Sequence, residues 1–291
     1  MTKLIGFKKL TEFILSFLSK NGKLFTMFGI DFSVNCSVAI LPIALVAGGN
    51  VFCWMAYVYL LEIVATIVIH EGGHALAGYF LGNPAVEICI MGCGGYTTFS
   101  RSLGVTLKDA VISLSGPLAN GMIVLGIICF EMGVWGGPLG VWTHFIFEDL
   151  IFEDLSFDDM PYCFVVLNSI AYLNAYMFFF NLLPAFPLDG GRILRCVLGT
   201  VLSPTKAAFS TMFVARVLSI LLVVWAVATN FVHDFNFINF AICMIISLFI
   251  WHGSKIEFWR TKIYCAAEAG SAYARSVILE LFGEDIKPLA V

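Results

Sequence analysis

Thr66-Ile67-Val68-Ile69-His70-Glu71-Gly72-Gly73-His74-Ala75-Leu76-Ala77-Gly78-Tyr79-Phe80-Leu81 sets two imidazoles and a carboxylate into an otherwise apolar run. The run reaches back to about Val34 and is broken at Gly48-Gly49-Asn50, a turn signal, so it reads as two helices. Residues four apart share a helix face, so His70 and His74 can both present a ring nitrogen to one metal ion. Glu71 projects about 100° round the helix, which suits a base acting on metal-bound water rather than a ligand. Such groups in an apolar helix carry a heavy desolvation penalty, and a functional reading is the default. The bland alternative is that they lie at the membrane interface and are merely solvated. Glu62 sits about 12 Å further along the axis. It reads as the outer part of a water path or as a helix contact.

Composition supports a lipid environment. The chain is 60% hydrophobic and 12% charged, far from a soluble domain, and its 28 Phe suit lipid-facing helices. A net charge of −4 gives no argument for nucleic acid as a partner. The nine cysteines are scattered and odd in number, so they read as buried thiols rather than a disulfide framework. Spanning a bilayer takes about 20 apolar residues, which places further spans at about 106–130, 162–183, 206–230 and 236–252. The expected fold is an all-α polytopic membrane protein of about six transmembrane helices, the first shortened by Asn35 and Pro42. One membrane-embedded domain over 1–291 is expected, with a cytoplasmic amphipathic segment (1–32), a transmembrane core (33–252) and a cytoplasmic tail (253–291).

Basic residues orient the chain. With a cytoplasmic N-terminus, Lys and Arg occupy every long cytoplasmic segment and no outer loop, while the largest outer loop carries Glu148, Asp149, Glu153, Asp154, Asp158 and Asp159. The expected location is the cell membrane, multi-pass, with both termini cytoplasmic. Leu4 to Leu18, with Lys3, Lys8, Lys9 and Lys20, reads as an amphipathic helix on the inner leaflet and is a poor signal peptide. The tail from Lys262 reads as a short amphipathic helix.

A catalytic zinc site usually has three protein ligands and one open position, so a third His, Asp or Glu is needed at the same depth. Asp189 is the best candidate. It comes after the expected fourth helix in Asn181-Leu182-Leu183-Pro184-Ala185-Phe186-Pro187-Leu188-Asp189-Gly190-Gly191-Arg192. Pro184 and Pro187 break regular helix, and Gly190 and Gly191 allow close backbone approach. Irregular backbone at membrane depth is tolerated only where protein or water buries it.

Three motifs carry a resemblance: His70-Glu71-x-x-His74, Ser115-Gly116-Pro117-Leu118-Ala119-Asn120, and Asn181-x-x-Pro184-x-x-Pro187-Leu188-Asp189-Gly190. In this order the sequence resembles the site-2 protease family of intramembrane metalloproteases, over about 54–198. Among subgroups it looks like the compact bacterial type that processes a membrane-tethered transcription-factor precursor during sporulation, without a PDZ insert or CBS domain. The resemblance implies one zinc ion per chain held by His70, His74 and Asp189, with Glu71 as general base. It also implies that Asn120 lies near the catalytic centre and supports the reaction oxyanion. Gly72 and Gly73 depart from the family pattern. Each costs about 1 kcal/mol relative to alanine in a helix, which implies local flexibility or very close packing.

Asn174 and Asn181 share a face of the expected fourth helix. Asn181 is the candidate for facing substrate, whereas Asn174 and Asn168 read as ties between helices. Ser115, Gly116 and Ala119 are small enough for close helix packing. The segment from Ala85 to Phe99 alternates loosely and reads as a short β-hairpin or re-entrant loop after the zinc helix. An edge strand there, with Gly94 and Gly95 at its Gly-rich middle, could pair with an extended substrate, as the resemblance also implies. A plain connecting hairpin is the alternative.

The expected function is hydrolysis of peptide bonds in or near transmembrane segments of membrane-tethered proteins, with the bilayer, a membrane-protein substrate and regulatory membrane proteins as partners. Two rivals are a catalytically silent scaffold of the same fold and a metal-ion transporter. The intact Glu71 set argues against the first. The second would require another proline-broken, ligand-bearing helix, as inverted repeats supply.

Overall fold

The computed structural model describes residues 21–39, 42, 54–92, 94–101, 104–135, 162–232, 237–274, 276 and 277. Their elements are β1 (Asn21–Met27), β2 (Ile30–Asn35), a 3-10 turn (Cys36–Ala39), α1 (Trp54–Phe80), β3 (Ala85–Met91), β4 (Gly94–Phe99), α2 (Leu107–Trp135), α3 (Tyr162–Asn181), α4 (Asp189–Gly199), α5 (Pro204–Val232) and α6 (Phe237–Glu268). Among the described residues, four helices are long and apolar enough to cross a membrane, within α1, α2, α5 and α6, and Val165–Asn181 is a shorter apolar helix.

The fold is mostly helical, as expected, and the first expected span is described only at its start and at Pro42, which is helical. Val34 and Asn35 end β2, Cys36–Ala39 is a 3-10 turn, and most of 40–53 lies outside the described residues. A short apolar run does not distinguish strand from helix; here pairing with β3 decides it. The expected hairpin after α1 is present as β3 and β4, but it belongs to a larger sheet in the order β1-β2-β3-β4. The amphipathic N-terminal helix and the acidic outer loop lie outside the described residues. In the tail, Lys262 lies within α6, which runs on to Glu268 and stops before Gly270, whose φ of +95° favours glycine; 272–274, 276 and 277 are again helical, and the remainder lies outside the described residues.

The described residues pack as two compact units, one drawn from 1–100 and 118–178, the other from 101–117 and 179–291. In the first, Phe28 and Gly29 both adopt positive φ and turn β1 into β2. Strands β2 and β3 are parallel, which obliges the chain to cross over between them, and α1 lies in that crossover. Ala75 of α1 packs with Ala85 and Ile88 of β3, and Phe99 closes the same cluster. Gly78 is what lets α1 approach. A Cβ there would lie 2.6 Å from both the Asn83 carbonyl oxygen and the Phe99 ring. Ile127 and Ala171 join α2 to α3.

In the second unit, α5 and α6 are linked by a reciprocal serine pair. The Ser219 and Ser247 hydroxyls lie 2.7 Å apart, and each also reaches the other's carbonyl oxygen at 2.9 Å. Ala185, Ala215 and Ile250 form a core cluster of the same unit. The buried Arg195 donates to the Gly104 carbonyl at 3.1 Å and the Thr261 hydroxyl at 3.2 Å, with the Glu257 carboxylate at 3.8 Å. Burial pushes its pKa down, and Glu257 opposes that shift. Large apolar side chains such as Phe213, Leu221, Trp225, Ile245 and Leu248 remain exposed, as lipid-facing surfaces require.

Overpacking the α1–β4 contact gives a direct test of the first unit. Gly78→Val is expected to lower stability by about 1–3 kcal/mol, read as a lower unfolding midpoint in detergent.

Candidate metal centre

α1 carries a polar stripe, Glu62, Thr66, His70, Glu71 and His74, all buried. The spacing of three and four residues turns them to one side of the helix. Each finds a specific neighbour. Glu62 accepts a hydrogen bond from the Ser169 hydroxyl at 2.6 Å, so it is a helix contact between α1 and α3.

His70 is held from behind by an amide chain. Its Nδ1 lies 2.7 Å from Asn120 Oδ1. Asn120 Nδ2 donates to the Thr66 carbonyl oxygen at 3.3 Å and to Asn174 Oδ1 at 2.7 Å. Both of those partners are acceptors, so the other amide atom is the oxygen, and His70 must donate to it from Nδ1–H. That fixes the tautomer with a lone pair on Nε2, the form that binds a metal. Asn174 is anchored in turn, donating to the Thr66 hydroxyl at 3.2 Å and the Ile170 carbonyl oxygen at 2.8 Å. Asn120 and Asn174 are both fully buried. Because both amide hydrogens of Asn120 are engaged, this arrangement orients His70 rather than offering a donor to an oxyanion. The signal in the sequence is only that asparagines in apolar helices need partners.

His70 Nε2 lies 3.2 Å from His74 Nε2, with the rings nearly perpendicular. His70, His74 and Asp189 are all buried, each offers one ligand atom, and these atoms lie within 4.8 Å of one another. Ligands at about 2.1 Å from a tetrahedral ion stand about 3.4 Å apart, so the donor set and the histidine spacing fit one zinc ion.

Asp189 is the first residue of α4, not part of an exposed turn. The positive end of the helix favours a carboxylate there. Arg192, one turn on, lies 3.8 Å from its Oδ1. Gly190 and Gly191 have a steric role: a Cβ at the first would run into the Leu182 and Leu183 carbonyls, and at the second into the backbone of Ala185 and Phe186. The Pro-rich loop therefore packs backbone to backbone against α4, and this fixes where Asp189 begins the helix.

Glu71 is held by a residue that the sequence alone does not mark. Thr97 in β4 donates its hydroxyl to Glu71 Oε2 at 2.7 Å. The Gly-rich segment stands out in the sequence, but nothing in it distinguishes one threonine. Beside it, a Cβ on Gly95 would lie 2.9 Å from Glu71 Cγ and Ile67 Cγ2 and 3.0 Å from Glu71 Oε1, so only glycine brings the strand this close. Gly94 adopts a φ of +137°, also glycine's territory. Gly72 departs from the expectation of close packing, since a Cβ there would meet nothing within 4 Å. Asn181 ends α3, half-buried; Asn174, seven residues earlier, is the one that joins the His70 chain. Cys89 is buried in β3 and outside the metal cluster.

The chain is similar to known proteins both in sequence and in fold. The chain is 22% identical over 244 residues to a zinc metalloprotease of Methanocaldococcus jannaschii, covering 81% of this chain and 60% of that relative's length. It shares its fold with the solved site-2 protease from Methanocaldococcus jannaschii, with a TM-score of 0.54 and 20% identity over 82% of this chain and 95% of that one. A family model described as Peptidase family M50 matches residues 58–225. This match spans more than half of the sequence, and the chain belongs to peptidase family M50.

Proposed function

We propose that this protein is an intramembrane zinc endopeptidase that cleaves membrane-tethered proteins in or beside their transmembrane segments. The observation that carries the reading is the buried His70, His74 and Asp189 set, with ligand atoms within 4.8 Å of one another, on a chain of a peptidase family. His70, His74 and Asp189 hold the ion, and Glu71 is the general base. A bound zinc ion supplies Lewis acidity toward the scissile carbonyl and acidifies water.

The chain's own residues do the rest. Glu71 takes a proton from the attacking water and returns it to the leaving amine. Thr97 occupies Oε2, which leaves Oε1, on the Gly95 side, for that proton. Asn120 and Asn174 keep the His70 lone pair aimed at the ion. Among the described strands, β4 pairs only with β3, and its other edge is available for an extended substrate. Asn181 and the glycines at 94 and 95 are the substrate-facing positions of this reading. A helical substrate must unwind first, because its carbonyls are engaged in the helix. Substrates are therefore segments with helix-destabilising residues, and regulatory membrane proteins are the class we expect.

The topology is six spans in the cell membrane with both termini cytoplasmic, supported by the one-sided distribution of Lys and Arg. Reporter enzymes fused behind Val232 and behind Val291 should report opposite sides of the membrane. Identical readings from both would refute the arrangement of the last two spans.

Glu71→Gln should lower cleavage of a membrane-tethered reporter by roughly 10²–10⁴-fold with zinc content unchanged. Wild-type cleavage in that variant would remove the proposed base. Asn120→Ala should weaken zinc affinity by about 10–100-fold in chelator competition. An unchanged affinity would show that the amide chain does not tune the ligand.

A further inference from the structure

A cavity of about 470 Å³ opens between the first turns of α5 and the last turns of α6, away from the metal centre's residues. Its lining combines two ammonium groups (Lys206, Lys262), two hydroxyls (Thr205, Ser210) and two aromatic walls (Phe209, Phe258). Phe209 is about half exposed, and its ring meets Phe258 edge-on at 5.9 Å. Lys262 lies 4.9 Å over the ring of Trp259, which is itself 47% exposed.

Charge and position narrow the ligand. Both lysines are exposed, and among the described residues neither forms an ion pair. The nearest acid on α6, Glu257, faces Arg195 at 3.8 Å. α5 contains no Asp or Glu at all. Between Val217 and Ser254, through the segment that joins the two spans, the sequence holds no Lys or Arg. Cationic groups are thus gathered at the end of the helix pair where the cavity lies, the distribution expected at the boundary between hydrocarbon and water. Exposed aromatic rings at that level are typical of a membrane interface. An anion satisfies the lysines. Exposed apolar walls beside them call for an amphiphile rather than an inorganic ion.

We infer that this cavity binds the headgroup of an anionic glycerophospholipid. Lys206 and Lys262 face the phosphodiester, Thr205 and Ser210 donate to phosphate or glycerol oxygens, and Phe209 and Phe258 flank the glycerol and first acyl carbons. Basic pockets between transmembrane helices recognise anionic lipid headgroups by this chemistry. The inference stands independently of the peptidase reading.

Native mass spectrometry of the purified full chain, offered phosphatidylglycerol and phosphatidylcholine in detergent, tests it. The wild type should retain phosphatidylglycerol in preference to phosphatidylcholine. Lys206→Gln with Lys262→Gln should lower that retention by about fivefold for each lysine removed. These lysines are exposed, so the unfolding midpoint should hold and the loss should report binding. Ser210→Trp, which fills the cavity and keeps both charges, should also reduce retention. Lys255→Gln, on the same helix but outside the cavity, should leave it unchanged. Wild-type retention in the double variant would overturn the site. So would an equal loss in Lys255→Gln, which would mean diffuse charge. Displacement of the lipid by inorganic phosphate or glycerol phosphate would assign the cavity to a soluble phosphate instead.

Discussion

An imidazole in an apolar helix is useful to a metal only if something buried fixes its proton, and here that task falls to Asn120. The bond from His70 Nδ1 to Asn120 Oδ1 is the first link of a chain that continues through Asn174 to Thr66 and Ile170. It ties α1, α2 and α3 together with neutral groups. Neutral amides cost far less to bury than charges, provided every donor and acceptor is satisfied. In this chain the donors of both amides have partners. The same bonds that hold three helices at one separation therefore also hold one histidine in one tautomer, so packing and chemistry depend on one set of contacts.

The sheet plays a comparable part for Glu71. A carboxylate on a helix has several rotamers, and without a neighbour it would sample them. The hydroxyl of Thr97 selects one of these. It can do so only because β4 runs against α1 at a distance that Gly95 permits and an alanine would not. Gly78 does the same one helix turn beyond His74, against Asn83 and Phe99. Two glycines on opposite sides of one interface set the distance between helix and strand, and that distance sets the carboxylate.

Backbone packing sets where Asp189 sits in the chain. The loop from Leu182 to Phe186 lies directly on Gly190 and Gly191, and the helix that begins at Asp189 offers its positive end to the carboxylate. The other end of this arrangement is secured by Arg195, which lies 5.4 Å from the Phe186 ring and bonds the Gly104 carbonyl and Thr261. A buried guanidinium is an expensive tie, so it is used here where several segments meet.

Much of this was legible in the residues. The period of four between His70 and His74 is local geometry, and an apolar run of bilayer length is local composition, so both survive folding unchanged. Asp189 could be nominated because prolines and glycines mark irregular backbone wherever they occur. The helices near 106–130, 162–183 and 206–230 come from length and hydropathy in the same way. What the sequence could not determine were the contacts between distant segments. The stretch around Val34 became a strand because β3, beyond the whole of α1, was there to pair with it, Phe32 against Ile88 and Val34 against Ile90. Thr97 looks like many other polar residues, and Asn174 reads only as a tie between helices, until the fold brings them to Glu71 and Asn120. Ligand types are written in the chain one residue at a time; their orientation comes from hydrogen bonds between segments far apart in sequence, whose partners only the tertiary structure supplies.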